Sequence, residues 1–512
     1  MHPSIYAQRT PDKPALIMDG SGEVVTYRQL DDRSNQGAQL FRSLGLGAGD
    51  VIAILMDNSP RFFEIAWAAQ RAGLYYACIS SKLTANEVEY IVRDCGARLL
   101  IVSPGVGAVL DELPALLPDL TLYMTTPARA PYADFEAARG AMPATPVADE
   151  TAGSDMLYSS GTTGRPKGVK PVLSGGPIDA PERVSELARV HFGFSEDTVY
   201  LCPAPFYHAA AVRWVMAVHR QGGTAVAMSR FDAEAALALI EAHRINTAQF
   251  VPTHFVRMLK LPEAARRAHD TASLKVVFHS AAPCPVPVKE QMLDWLGPII
   301  GEYYGGTEGI VFCCLTAEEW LAHKGSVGRA AAGELRICDE DGEPLPPRSE
   351  GVVHVANGPP IRYHNAPEKA KESTNKYGWP TMGDVGWVDE EGYLYLTDRK
   401  SFMIISGGVN IYPQELENLL ITHPKVADAA VIGAPDAEMG EQVVAVIQPL
   451  DWANAGDALR DELMAFCRAN ISHVKCPRRI DFMAELPRHQ TGKLYKRLIR
   501  DAYWGKQGSK IV

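Results

Sequence analysis

The stretch VIAILMDNSPRFFEIAWAAQRAGLYYACI, residues 51–79, decides the fold class. Val51 to Met56 is an unbroken apolar run, the composition of a strand buried on both faces. Asp57-Asn58-Ser59-Pro60 supplies an N-cap and a first-turn proline. Between Arg61 and Ala72 the apolar residues Phe62, Ile65, Ala66 and Ala69 fall at helical spacing, and Gly73 stops the helix. Tyr75 to Ile79 then reads as a second strand. Strand, helix and strand in succession form a β–α–β unit, whose strands run parallel with the helix across one face.

The pattern spreads outward from there. Asn86 to Asp94 reads as a helix and Arg98 to Val102 as a strand. Further strands are expected at Thr198–Cys202, Thr224–Met228, Thr247–Val251, Leu274–Phe278 and Ile299–Tyr304. Two stretches break the alternation. Residues 103–150 are rich in Pro and Ala with little periodicity, and read as a surface connector. Residues 171–190 open with glycines and prolines and turn helical, and read as a mobile loop and helix. After residue 330 the period changes to two: Gly333–Ile337, Gly351–Val355 and Tyr393–Leu396 alternate between Asp/Gly turns, which is antiparallel material. The last hundred or so residues mix helices (Pro413–Thr422, Ala458–Ala469) with strands (Val426–Ile432, Val443–Gln448, Arg479–Met483). The expected fold is therefore α/β: a large N-terminal domain of doubly wound sheets plus a β-rich subdomain, followed by a small α+β C-terminal domain.

The chain has 512 residues and a formal net charge of −11. That balance argues against nucleic-acid or anionic-membrane binding, which needs a basic face. No apolar run reaches the ~18 residues of a membrane span; the best candidate, Ala209 to Val218, is short and contains Arg213. Met1 to Asp12 has no apolar core of a signal peptide. The nine cysteines are scattered without a C-x-x-C pair, so a reduced, cytoplasmic protein is expected.

The densest chemistry lies at Tyr158-Ser-Ser-Gly-Thr-Thr-Gly-Arg-Pro-Lys-Gly168, straight after the apolar Met156 and Leu157. Glycines let a backbone wrap an anion, hydroxyls and N–H groups donate to phosphate oxygens, and Lys167 adds a point charge. Gly161 and Gly164 are too close for the P-loop pattern, and Gly168 stands where that pattern has Ser or Thr. A flexible linker would not need the lysine.

Residues 160–168 resemble the S-G-T-T-G-x-P-K-G signature of the adenylate-forming superfamily, which includes acyl-CoA synthetases, aryl-CoA ligases, firefly luciferase and peptide-synthetase adenylation domains. The resemblance continues in order. Tyr304-Gly-Gly-Thr-Glu308 resembles Y-G-x-T-E. Thr381-Met-Gly-Asp384 resembles T-G-D with a methionine inserted. Asp398-Arg399, Met403–Gly408 and Asn410–Pro413 resemble the hinge and the loop after it, and Pro487–Lys493 resembles P-x-x-x-x-G-K.

What the resemblance implies is a two-step reaction. A carboxylic acid and Mg-ATP give an acyl-adenylate and pyrophosphate; a thiol, usually coenzyme A, then displaces AMP. The implied domains are 1–398, with the β-rich subdomain at about 330–398, a hinge at 399–401, and a mobile C-terminal domain at 402–512. The implied nucleotide site comprises Ser159, Ser160, Gly161, Thr162, Thr163, Gly164 and Lys167 on the phosphates and Ala281, Ala282 and Pro283 (after Ser280) with Tyr304 and Gly305 around adenine. Thr307 meets the α-phosphate, and Asp384 and Arg399 hold the ribose. Glu308 would hold Mg2+, since a hard cation often binds through one carboxylate plus substrate phosphates. Lys493 would bridge the acyl carboxylate and the α-phosphate, offsetting their repulsion. His208, with Tyr207, Ala281 and Gly306, would wall the acyl pocket. Gly407 and Gly408 would line the coenzyme A tunnel. Ser401 stands where the family's hinge usually has Asp or Lys, and Lys400 beside it can supply that charge.

An acyl-CoA synthetase is the leading reading. An acyl-AMP ligase serving a carrier protein is the alternative. A peptide-synthetase module, a luciferase-like oxygenase and a catalytically dead binder fit less well. The partners expected are a small-molecule carboxylic acid, ATP and coenzyme A; a homodimer is left open. The Ala- and Gly-rich segments Tyr207–Trp214, Thr253–Arg257, His279–Ala282 and Gly305–Phe312 suggest room for an acid larger than acetate, whether fatty, alicyclic or aromatic. Arg213 could pair with a second polar group, though such a residue more often faces outward.

Overall fold

A computed structural model describes residues 1–159, 166–488 and 494–504. The chain divides into two compact units: residues 1–250, 263–277 and 362–370 form the first, and residues 251–262, 278–361 and 371–512 the second.

The first unit is built as the 51–79 stretch dictates. Strands Val51–Leu55 and Tyr75–Ile79 pair in parallel, with helix Pro60–Arg71 between them. They belong to a seven-stranded sheet that runs from Ala133–Asp134 through Thr121–Met124, Ala97–Val102, Val51–Leu55, Tyr75–Ile79 and Ser154–Ser159 to Lys167–Val169. Only the last pairing is antiparallel. Helix Ala85–Cys95 starts on a reciprocal Thr84–Glu87 capping box and ends at Gly96 in the left-handed region, as capping physics favours. A second sheet orders Thr247–Phe250, Val199–Cys202, Thr224–Ala227 and Pro14–Met18 in parallel, with Val24–Thr26 antiparallel at its edge.

One expectation is corrected here. Residues 103–150 are not a surface connector. They hold helices Val109–Leu116 and Phe135–Gly140 and the two strands at one edge of the seven-stranded sheet. Leu110, Leu113, Met124 and Tyr132 are buried in its core. Pro114 inside the first helix and the short strands hid the periodicity. The loop after Lys170 is pinned by hydrogen bonds: Gly176 O accepts from Ala152 N (3.0 Å) and Thr151 Oγ1 (3.0 Å), and Ile178 O accepts from Gln70 and Arg220. Helix Arg183–Phe192 follows it, as expected.

The second unit is mainly antiparallel. Strands Ile300–Gly305, Phe312–Leu315 and Arg329–Ala332 form one ladder. A four-stranded sheet follows in the order Glu334–Cys338, Gly351–Ala356, Thr381–Val388, Leu394–Arg399. The strand at 381–388 was not foreseen, because Gly383 and Gly386 interrupt its alternation. The C-terminal part pairs Val426–Asp436 with Gly440–Pro449 and adds Arg479–Phe482 in parallel. Leu416, Leu420, Leu459 and Leu463 of helices Pro413–Ile421 and Asp457–Asn470 pack in a core with Val431, Ala445 and Ile447 of the strands. Ile499 of helix Lys496–Trp504 packs in another with Ile432 and Val444. Alternation along the strands is what feeds two cores from one sheet. Among the described residues no helix is long and apolar enough to cross a membrane.

Candidate active site

The second unit contains a cleft of about 200 Å³ whose lining includes Ser280–Pro283, Glu302–Gly305, Asp384, Asp398 and Arg399. Strand pairing builds its wall. Asp384 and Arg399 stand directly opposite each other on adjacent antiparallel strands. That register puts Arg399 Nε 3.0 Å from Asp384 Oδ1. Tyr304, near the end of its own strand, donates from its hydroxyl to Asp384 Oδ2 at 2.6 Å. Asp384 is 6% exposed. Burial, then the Asp384 charge, push the Tyr304 hydroxyl well above its usual range. Burial would lower the Arg399 guanidinium, but Asp384, then Tyr304 and Glu308, hold it raised. The result is a carboxylate fixed in place with acceptor sites left over, since two oxygens offer about four lone-pair sites and two are in use.

Ala281 sits opposite this wall with φ +75°. A non-glycine residue in the left-handed region is held there by its surroundings, and such strain gathers at ligand clamps. Thr307 and Glu308 occupy the centre of a turn closed by Gly309 N donating to Gly306 O at 3.1 Å. At Gly306 an added Cβ would lie 2.2 Å from Met382 Sδ and 2.7 Å from Glu308 Oε2, so the ends of both side chains lie close to this glycine. The methionine inserted in the T-G-D motif thus packs on the glycine of the Y-G-x-T-E motif.

Other expected residues lie elsewhere. Ser159 and Lys167 are the paired last and first residues of two antiparallel strands in the first unit. Lys167 Nζ stands 4.8 Å from the centre of the Tyr363 ring. Ser160, Gly161, Thr162, Thr163 and Gly164 are outside the described residues, as is Lys493. Tyr207 and His208 are also in the first unit, with rings 4.4 Å apart, and His208 is the N-cap of helix Ala209–Gln221. Arg213 does not face outward: its Nε lies 2.9 Å from Asp155 Oδ2. A carboxylate at the start of the neighbouring strand draws it in. Gly407 and Gly408, at φ +56° and +79°, form the two-residue turn between strands Ile404–Ser406 and Val409–Ile411. Positive φ at both positions is what such a turn requires. Both are exposed, and neither lines the cleft. Ser401 is the middle of a 3₁₀ turn between Arg399 and Phe402.

The cleft also holds groups that the sequence reading missed. Glu302 Oε2 lies 2.8 Å from Lys289 Nζ and 3.2 Å from His279 Nε2, all three buried. Burial would raise the Glu302 carboxyl, but His279 and Lys289 overcome it and hold it down at about 2. The one sequence signal was position: Glu302 is two residues before Tyr304, hence on the same strand face. Asp398 accepts from Gln414 N at 2.9 Å. Glu417 accepts from Val431 N at 2.7 Å and pairs with Lys496 Nζ at 2.9 Å. Burial raises its carboxyl, with Lys496 opposing.

A large α/β body, a β-rich layer and a small α+β domain, with a carboxylate–guanidinium–phenol set in one cleft, define the class of adenylate-forming enzymes. The sequence comparisons make it specific. The AMP-binding enzyme family matches residues 5–360, and the AMP-binding enzyme C-terminal domain matches residues 415–493. The chain belongs to the AMP-binding enzyme family. It is similar to a fatty acid–[acyl-carrier-protein] ligase of Streptomyces coeruleorubidus, with 32% identity over 99% of this chain and 97% of that one. It is also similar to a feruloyl-CoA synthase of an Amycolatopsis species, with 33% identity over 95% of each. Among solved structures, ATP-bound MatB from Rhodopseudomonas palustris superposes with a TM-score of 0.81 at 26% identity, covering 98% of this chain and 99% of the other. The chain is accordingly an AMP-forming acid–thiol ligase, and ATP, an acid and a thiol are the substrates its family implies.

Proposed function

We propose that this enzyme is an acyl-CoA synthetase: it activates a carboxylic acid with Mg-ATP and passes the acyl group to coenzyme A. The observation that carries the reading is the Asp384–Arg399–Tyr304 set, which shares its cleft with Ala281–Pro283 and with Arg488 and Leu494, the residues bracketing 489–493. In the first step a carboxylate oxygen of the acid attacks the α-phosphorus and pyrophosphate leaves. Asp384 accepts from the ribose hydroxyls and Arg399 donates to the ribose. The Tyr304 ring, Gly305 and Ala281–Pro283 enclose the adenine, and Thr307 donates to the α-phosphate. The loop from Ser159 to Gly164 and Lys167 hold the outer phosphates. Lys493 is proposed as the cation that bridges the two reacting anions, where its charge would offset their repulsion.

Glu308 is the proposed ligand of Mg2+. A half-buried carboxylate in a tight turn, close enough to Arg399 to act on its charge, suits an ion that binds mainly through substrate phosphates. Bound there, the ion would neutralise charge on the departing pyrophosphate. In the second step the coenzyme A thiolate attacks the acyl carbon and AMP leaves with the bridging oxygen. Gly407 and Gly408 serve that step after residues 402–512 pivot about 399–401. Tyr207, His208, Ala281 and Gly306 are the residues proposed to meet the acid. The proposed location is the cytoplasm.

A second reading replaces coenzyme A by a carrier-protein thiol, as the name of the Streptomyces relative specifies for that protein. The deciding experiment offers each thiol in turn to the enzyme with ATP and a panel of fatty, alicyclic and aromatic acids. AMP release that depends on coenzyme A supports the synthetase. Release only with a phosphopantetheinylated carrier supports the second reading, and no release with either overturns both.

A further inference from the structure

Lys260 ends helix Pro252–Leu259, and that helix turns Pro252, Thr253 and Val256 toward the cleft. Its ammonium donates to the carbonyl of Val426, the first residue of strand Val426–Asp436. Two residues further on, the Asp428 carboxylate faces the same ammonium closely enough to act on its charge. Asp428 is in turn held in two places by Arg488, from Nε to Oδ2 and from a terminal nitrogen to Oδ1 at 2.6 Å. Arg488 pairs across an isolated β-bridge with Leu494, and Tyr495 N donates to Pro487 O at 2.8 Å. The chain between Arg488 and Leu494 carries Lys493. The Lys260–Val426 bond therefore ties the end of helix Pro252–Leu259 to strand Val426–Asp436, and the Asp428–Arg488 pair ties that strand to one of the two described residues flanking 489–493. Such contacts are about twice as strong as neutral ones, and the two-pronged Arg–carboxylate pair also fixes direction.

We propose that Lys260 is a positioning residue for adenylate formation: through Val426, Asp428 and Arg488 it holds the Lys493 segment at the nucleotide cleft. This rests on the two-step reading above. Lys260 lies in the part of the chain that stays put in that reading, and Val426, Asp428 and Arg488 in the part that pivots. The Lys260 bond therefore exists in one orientation only, the one in which both ends of the Lys493 segment line the cleft. Breaking it shifts the population away from that orientation without touching either substrate. A ligand or contact can bias two states only through the difference in its interaction with them, and Lys260 supplies such a difference.

The test compares Lys260→Met and Lys260→Arg with the unaltered enzyme in separated half-reactions. Adenylate formation is read as ATP–pyrophosphate exchange with the best acid of the panel. Acyl transfer is read from supplied acyl-adenylate and coenzyme A. The expected result for Lys260→Met is a kcat for exchange about tenfold lower, with KM for ATP and acid unchanged and acyl transfer unimpaired. Lys260→Arg, which keeps the charge, should recover exchange to within about threefold. Equal loss in both halves, loss in neither, or a rise in KM for ATP overturns the proposal. Exchange absent from the unaltered enzyme with every acid is a failure of the functional reading instead. The contact is then judged by amide hydrogen exchange: Lys260→Met should speed exchange at residues 426–431 and 486–488, and unchanged protection there overturns it.

Discussion

Replacing Asp384 by asparagine should separate the ribose contacts from the rest of nucleotide binding. The carboxylate has about four acceptor sites. Tyr304 Oη and Arg399 Nε use two, one on each oxygen, at 2.6 and 3.0 Å. Two remain, one for each ribose hydroxyl. An amide keeps a single acceptor oxygen, with about two lone-pair sites of which Tyr304 or Arg399 takes one, and its NH2 cannot accept from a ribose hydroxyl, so at most one of the two hydroxyl donations survives. A hydrogen bond to a charged partner contributes about 1.5–3 kcal/mol, or about ten- to a hundredfold in affinity. Calorimetric titration with AMP, 2′-deoxy-AMP and 3′-deoxy-AMP reads this directly. The unaltered enzyme should bind each deoxynucleotide at least about tenfold more weakly than AMP. In Asp384→Asn, AMP should weaken by at least that factor and at least one deoxy penalty should shrink to under about threefold, because the lost partners are the same. If Asp384→Asn keeps both penalties in full, or binds AMP as before, the ribose is not held by Asp384.

Further outcomes follow from the same geometry. Glu308→Gln should raise the Mg2+ concentration needed for half-maximal pyrophosphate release, and full activity of the unaltered enzyme in excess EDTA would refute the Glu308 assignment. Gly306→Ala places a Cβ 2.2 Å from Met382 Sδ, the movable end of a flexible side chain, and should lower stability in denaturant unfolding by under about 1 kcal/mol, less than overpacking a rigid core costs. Ser401→Pro removes an N–H and fixes φ in the proposed pivot, and should slow one half-reaction far more than the other. Glu302 is held below its unfolded range by His279 and Lys289, so its contribution to stability is present above the usual carboxylate pKa and is lost as pH falls from about 4.5 toward about 2. Urea midpoints should drop across that window, and less steeply in Glu302→Gln.

The parts of the fold legible in the sequence are those where one period dominates. Residues 51–79 alternate cleanly because strands buried on both faces read as apolar runs and the helix between them is bracketed by Pro60 and Gly73. The 103–150 region was misread because Pro114 breaks the helical pattern and the strands Thr121–Met124 and Ala133–Asp134 are too short to show alternation. Motifs located the cleft residues without their contacts: nothing in the sequence indicates that Tyr304 donates to Asp384 rather than to a ligand. Glu302, His279 and Lys289 meet only because two strands and a helix converge, and no local pattern encodes that. Lys260 is a further case, since its partners lie in the C-terminal part of the chain.

The central claim is that the acid is activated on the α-phosphorus of ATP. Its most direct test uses an acid labelled with oxygen-18 in both carboxylate positions, with ATP and a thiol, and mass analysis of the products. The account predicts one labelled oxygen per AMP and none in pyrophosphate, because the carboxylate oxygen that attacks phosphorus leaves with AMP when the thiol takes the acyl group. Unlabelled AMP, or ADP with labelled inorganic phosphate, would contradict it.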